Sequence, residues 1–315
     1  MPTQLTTDPA EAAALLRDGG VVAFPTETVY GLGADALNPD AVARIFTAKG
    51  RPADNPLIVH VAEIDAIRAV TSVLPSVAEA FIEAFFPGPL TLILPKATSV
   101  PGAVTAGLNT VGVRMPDHAL ALDFLRACAT PVAAPSANRS GRPSPTTWPA
   151  VQHDLDGRID AILQGDLARV GLESTVLDCT GEAPVILRAG AVTLEMLRHV
   201  APATKYAHAA SDALQRSPGT RYRHYAPDAI VRLVDTPHHG EADPMHGYIG
   251  LTAPAAPQAW GLCHTCTDVA DYGHRLYETL READRRGLST VYCQRVSEDD
   301  LGRALMDRLQ RAAAR

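Results

Sequence analysis

The stretch Pro25-Thr26-Glu27-Thr28-Val29-Tyr30-Gly31-Leu32-Gly33 follows an apolar run and is trailed at short range by Lys49-Gly50-Arg51-Pro52 and Asn55. The apolar run, Val21-Val22-Ala23-Phe24, is a β-branched strand signal that Pro25 cuts off. Hydroxyls therefore gather at the carboxyl end of a strand, the edge of open α/β sheets where ligands settle. Hydroxyls, glycines and cations together have the composition of a site for a polar, anionic small molecule.

Downstream, Asn38-Pro39-Asp40 reads as cap, first-turn proline and acidic first turn of a helix. Its buried stripe is Val42, Ile45 and Phe46, and it ends near Gly50. Lys49 and Arg51 at that end can simply complement the helix dipole. They also open a proline-rich loop that returns through Asn55-Pro56 to the strand Leu57-Ile58-Val59-His60-Val61, and such a loop can aim both charges inward.

The arrangement recurs about eighty residues on. The strand Pro131-Val132-Ala133-Ala134 runs into Pro135-Ser136-Ala137-Asn138-Arg139-Ser140-Gly141-Arg142-Pro143-Ser144. Serine and asparagine there can mean only a turn, but repetition of strand, proline and cation-bearing hydroxyl loop suggests two loops facing one crevice. Arg114, ending Thr110-Val111-Gly112-Val113-Arg114, and Arg188, ending Val185-Ile186-Leu187-Arg188, are strand-end cations whose planar forks suit carboxylate or phosphate. Glu173-Ser174-Thr175-Val176 adds a further strand.

These motifs, with Pro87-Gly88-Pro89-Leu90-Thr91 and the run 217–227, occur together and in order in one family. Across essentially its whole length the sequence closely resembles the threonylcarbamoyl-AMP synthases, in the long form that joins a YrdC-like domain to a smaller C-terminal domain. The resemblance implies an open twisted α/β sheet flanked by helices over residues 1–205, a lid-like linker over 206–227, and a parallel, Rossmann-like α/β domain over 228–315. It implies condensation of L-threonine, bicarbonate and ATP to threonylcarbamoyl-AMP and pyrophosphate. Other proteins then carry the threonylcarbamoyl group to adenosine in tRNA, so stable tRNA binding by this chain itself is not expected.

Residue by residue, the resemblance assigns Thr28, His60, Arg114, Ala134 and Ser174 to the threonine pocket, with Arg114 on the carboxylate. Arg51, Asn55, Thr110, Ser136, Ser144, Arg188 and Tyr225 fall in the ATP site. Lys49, Arg51, Ser136 and Asn138 form the catalytic signature, the cations on phosphate charge and the other two on phosphate or carbamate oxygens. The chemistry agrees: a carbamate attacks the α-phosphorus of ATP, no enzyme nucleophile is required, and positioning with charge stabilisation dominates. Mg2+ is expected with the triphosphate, but no carboxylate pair marks a dedicated metal cage.

Other readings are weaker. No Walker P-loop occurs, and Gly31-x-Gly33 is too short for a dinucleotide fingerprint. Cys263-x-x-Cys266 lacks a second pair, so neither zinc nor redox use follows. His238, His239 and His246 fall in a polar stretch resembling a loop, whereas Tyr222, His224 and Tyr225 are placed to stack on or cover a nucleotide. His60, in an apolar strand, would by default be a satisfied core histidine.

A net charge of −7 divides as 15 basic and 21 acidic residues through Lys205, then 13 and 14 beyond it. Neither part has the basic excess of a nonspecific nucleic-acid binder, which weighs against an alternative reading as a nonenzymatic RNA-binding protein. A carbamoyl-phosphate-using transferase is disfavoured because companion domains of that class have no counterpart. At 315 residues and 46% hydrophobic content the chain supports two cores. Five cysteines without framework spacing, no apolar leader and no membrane-length run lead us to expect a cytoplasmic protein. The C-terminal strands 230–234, 248–251 and 290–293, alternating with helices over 269–286 and 300–313, carry few polar strand ends, so this part should support or gate the site.

Overall fold

A computed structural model describes residues 2–207, 225–237 and 242–314. Residues 208–224 of the expected linker 206–227, with Tyr222 and His224, and the pair His238-His239 lie outside the described residues.

The helix expected after residue 38 spans Pro39–Lys49, and local chemistry explains both ends. The Asn38 side chain accepts from the backbone N–H groups of Asp40 and Ala41, while Gly50 takes the left-handed conformation (φ 62°) that ends the helix. Ala41, Val42, Ile45 and Ala48 are its buried stripe. Lys49 is buried with them, and Arg51 emerges beyond.

Among the described residues eleven strands form one mixed sheet in the order Gln4–Thr6, Ala161–Leu163, Val22–Phe24, Gly31–Asp35, Val132–Ala134, Ile58–His60, Thr110–Arg114, Leu90–Pro95, Thr175–Asp178, Val185–Arg188 and Lys205–Tyr206. Its residues alternate between two apolar layers. Ala23 and Ala133 join one core with Val42, Ile45, Phe81 and Leu197. Val22, Phe24, Val132 and Ala134 join the other with Ala12, Leu16, Phe124 and Leu125. Both faces are thus covered by helices, which leaves the strand ends as the place for a polar site.

One feature differs from the sequence expectation. Gly31–Asp35 is itself a strand, antiparallel to Val22–Phe24 with Phe24 opposite Gly31. The hydroxyl-rich segment 25–30 therefore connects an antiparallel pair instead of leaving a parallel edge. Close packing explains why the glycines read as loop: a Cβ on Gly31 would lie 2.9 Å from the Phe24 ring, and one on Gly33 2.7 Å from Val132 Cγ1.

Among the described residues the second sheet has four strands, all parallel, in the order Ile230–Val234, Thr290–Gln294, His246–Gly250 and Leu262–Thr265. His246, read from sequence as part of a loop, is a strand residue here, and Leu262–Thr265, which carries Cys263, is a fourth strand beside the three expected. Helices Val269–Arg285 and Leu301–Ala313 cover this sheet, and their apolar residues join Val29 and Leu172 of the first domain in a shared cluster. Gly171 permits the contact: at φ 78°, its Cβ would lie 2.5 Å from His274 Cα.

Candidate active site

Beside the ends of the central strands lies a cavity of about 60 Å³. All five residues assigned to threonine line it, namely Thr28, His60, Arg114, Ala134 and Ser174. So do Arg51, Ser136, Arg188 and Tyr225 from the nucleotide set. Residues from both hydroxyl loops and three further strand ends, together with Tyr225, thus face one hollow.

Arg114 closes the strand Thr110–Arg114, and its guanidinium is held on three sides. Nε donates to Gly88 O at 3.3 Å, Nη1 donates to Thr28 Oγ1 at 2.8 Å, and Nη2 pairs with Glu27 Oε2 at 2.6 Å. Thr28 Oγ1 also lies 2.9 Å from Thr26 Oγ1, and Thr26 Oγ1 donates to Val29 O at 2.7 Å, so the turn 26–29 is braced from within. Ser174 Oγ shares a hydrogen with Thr91 Oγ1 at 2.8 Å.

His60 is buried edge-on against Phe24, with ring centroids 5.7 Å apart. Burial, and then the neighbouring Arg114 charge, push its pKa down to about 3, so the ring is neutral near pH 7. Its Nδ1 lies 3.2 Å from Ile58 O. A carbonyl only accepts, so the proton sits on Nδ1 and Nε2 keeps its lone pair as an acceptor.

On the other side, Arg51 Nη2 donates to Asn55 O at 3.4 Å and Pro56 O at 3.2 Å, which turns the guanidinium along its own loop. Arg188 donates from Nε to Ser174 O and from Nη2 to Ser174 Oγ, both at 3.1 Å. Ser136 Oγ donates to Asn138 Oδ1 at 2.5 Å. Tyr225 packs on Tyr277, with centroids 5.3 Å apart and rings near parallel at 26°.

Five assigned residues do not line the cavity. Lys49 is only 3% exposed and donates to the Ser136 and Asn138 carbonyls and to Asn138 Oδ1. Three acceptors match the three N–H bonds of an ammonium, although burial and then Arg51 push its pKa well down. Asn138 Nδ2 donates to Arg139 O at 2.8 Å and Arg142 O at 2.9 Å. Lys49 and Asn138 therefore shape the loop that presents Ser136. Ser144 is buried and donates to Glu173, Asn55 is buried beside Arg51, and Thr110 begins the strand whose far end carries Arg114.

Sequence reasoning gave no role to Glu27 or Glu173, although both stand inside quoted motifs. Burial adds to the Glu173 carboxyl's pKa, yet the charges of Arg308 and Arg188 and the Ser144 hydrogen bond bring it down to about 2. The second domain also contributes Tyr277, Arg281 and Arg308. Arg281 grips Asp154 through Nη1 and Nη2, at 3.2 and 2.8 Å, and Asp154 accepts from the Arg139 N–H at 3.3 Å. No short-range pattern distinguishes these cations from the solvated charges of an amphipathic helix.

Two family models cover the chain: the Sua5/YciO/YrdC family, described as "Telomere recombination", at residues 14–190, and "Threonylcarbamoyl-AMP synthase, C-terminal domain" at 192–314. Among curated relatives, the threonylcarbamoyl-AMP synthase of Pyrococcus abyssi is 42% identical over 96% of this chain and 93% of its own length. That of Bacillus subtilis is 42% identical over 98% and 94%. The crystal structure of P. abyssi Sua5 complexed with L-threonine superposes with a TM-score of 0.89 at 39% identity, covering 99% of this chain and 96% of that one. A fold that matches along its whole length, motifs that converge on one hollow and relatives alike in both domains lead to one assignment: the chain belongs to the threonylcarbamoyl-AMP synthase family.

Proposed function

We propose that this protein is an L-threonylcarbamoyladenylate synthase, a nucleotidyltransferase that condenses L-threonine, bicarbonate and ATP to threonylcarbamoyl-AMP and pyrophosphate. The observation that carries this reading is the meeting of Arg51, Arg114, Ser136 and Arg188, from four separate segments, on one cavity.

In this reading Arg114 takes the threonine carboxylate, its orientation already set by Glu27, Gly88 and Thr28. His60, neutral and with Nε2 as acceptor, receives a hydrogen bond from threonine's hydroxyl or amine. Once the amine has condensed with bicarbonate to a carbamate, with loss of water and a proton, the carbamate oxygen attacks the α-phosphorus and pyrophosphate leaves. Arg51 and Arg188 stabilise charge spreading over the phosphate oxygens, and the Ser136 hydroxyl, turning its hydrogen away from Asn138 Oδ1, donates to one of them. Asn55, Thr110 and Ser144 support the nucleotide side, while Lys49 and Asn138 act through the Ser136 loop.

Magnesium enters with the triphosphate as part of the substrate. Glu173, the carboxylate lining the cavity, is already engaged by Ser144, Tyr277 and Arg308, so phosphate oxygens and water would be the ion's ligands.

We read the chain as a catalytic domain over 1–205, a linker over 206–227 and a C-terminal domain over 228–315. This division is supported by the first sheet's last strand at Lys205–Tyr206 and the second sheet's first at Ile230–Val234. The product would pass to proteins that modify tRNA in the cytoplasm. No helix among the described residues is long and apolar enough to cross a membrane.

The test is pyrophosphate release by purified protein with ATP and magnesium. Release that requires both threonine and bicarbonate is expected. Release independent of threonine, or none at all, would overturn the assignment.

A further inference from the structure

Glu173 faces the cavity and accepts hydrogen bonds from three separate parts of the chain. Ser144 Oγ donates to Oε1 at 2.6 Å, and Tyr277 OH and Arg308 Nε donate to Oε2, each at 2.9 Å. Ser144 belongs to the first domain, but Tyr277 lies on helix Val269–Arg285 and Arg308 on helix Leu301–Ala313. Arg308 is wholly withdrawn from solvent and also donates to Ala189 O at 2.9 Å and Asp307 Oδ2 at 2.6 Å. Apolar residues would dock two domains at least as well as a buried ion pair does, so holding the domains together does not by itself account for this choice.

The cavity's chemistry accounts for it. Arg188 lies on the same wall as Glu173, close enough for the two charges to act on each other. An uncompensated carboxylate there would repel a triphosphate and compete with it for Arg188. The connection is also covalent, since Ser174 follows Glu173 and receives two hydrogen bonds from Arg188. Whatever fixes Glu173 fixes the backbone on which Arg188 rests.

We infer that Tyr277 and Arg308 of the C-terminal domain are positioning residues for the nucleotide half of the site, holding and neutralising Glu173 so that Arg188 is presented to phosphate. The inference rests on the ATP-dependent reading above and assigns the second domain a part in it. The same Arg308 guanidinium lies 5.7 Å from the Tyr225 ring, so one cation of the second domain touches both the carboxylate and the end of the linker.

The test uses the full chain in the variants Arg308→Met, Tyr277→Phe and the double Glu173→Gln/Arg308→Met. Pyrophosphate release gives KM for ATP and for threonine separately, and calorimetry gives Kd for a nonhydrolysable ATP analogue. For Arg308→Met, we expect the ATP KM and the analogue Kd to rise about tenfold, as for loss of a charged hydrogen bond, with the threonine KM within about twofold of wild type. Tyr277→Phe, which keeps the ring, should move the same parameters in the same direction by less. The double variant should regain ATP affinity because no unpaired carboxylate remains. Proportional changes in both KM values, or unchanged ATP parameters in folded Tyr277→Phe and Arg308→Met proteins, would reduce the cluster to a domain fastener and overturn the inference. A wild-type protein that binds the analogue yet releases no pyrophosphate would instead count against the catalytic reading, with calorimetry still reporting on Arg308.

Discussion

Arg114 and Glu27 form an ion pair at 2.6 Å with their side chains only 5% and 1% exposed, directly behind the wall that Arg114 contributes to the cavity. Glu27 thus balances a guanidinium that would otherwise be a lone buried cation, and a third charge, that of a bound carboxylate, would share this balance.

Replacing Glu27 by Gln keeps the shape and removes the charge. Taking one partner from a buried pair costs about 3–5 kcal/mol when nothing compensates, so a lower unfolding midpoint is expected. A ligand carboxylate can then supply the missing charge. Thermal unfolding with and without threonine should therefore show a larger threonine-induced rise in the variant than in the wild type, and an equal or smaller rise would refute the compensation.

Arg51→Ala removes a guanidinium from the cavity wall, where its partners include two carbonyls of its own loop. The fold should tolerate this, and pyrophosphate release should fall roughly 10²–10³-fold, the usual cost of losing a donor that stabilises developing charge. Wild-type turnover in the variant would remove Arg51 from the mechanism.

Lys49→Met should behave differently, because Lys49 is buried and ties together the loop that carries Ser136. Loss of activity is expected together with loss of stability, on the order of 1–3 kcal/mol for carbonyls left unsatisfied. Denaturant unfolding separates the cases: a Lys49→Met protein as stable as wild type but inactive would return Lys49 to direct contact with substrate.

Acid should destabilise the protein before its carboxylates titrate. The His60 pKa is about 3 when folded against 6.5 as the reference, so between those values the unfolded chain holds a proton that the folded one lacks. Stability from this group is full above pH 6.5 and falls as pH drops toward 3, by about 1.4 kcal/mol per pH unit. Glu173, at about 2 against 4.5, adds a second such proton below pH 4.5. His60→Gln should reduce the slope of unfolding free energy against pH by about one proton between pH 6.5 and 4.5. An unchanged slope would mean that His60 is charged in the folded protein.

Much of the site was legible because its residues sit in short motifs bounded by proline and glycine. The cap Asn38, the stop Gly50 and the strand ends at Arg114 and Arg188 all stand where local rules put them. What local rules missed depends on distance in the chain. Glycines at 31 and 33 look like a loop until the Phe24 ring is seen packed over them. Lys49 reads either as a cation on the helix dipole or as a charge aimed inward at substrate, and only the Ser136 loop, brought alongside by the sheet, shows that it is buried against backbone carbonyls. Arg308 and Glu173 lie 135 positions apart, so their meeting follows from the packing of two domains and leaves no local trace.

The small size of the cavity bears on how fast the protein can work. About 60 Å³ holds about two waters, so on the function proposed above the walls of the hollow must part before an amino acid and a nucleotide fit. Every turnover would then include at least one mechanical excursion against solvent friction. Added glycerol or sucrose would therefore slow the cycle even where no chemical step has changed.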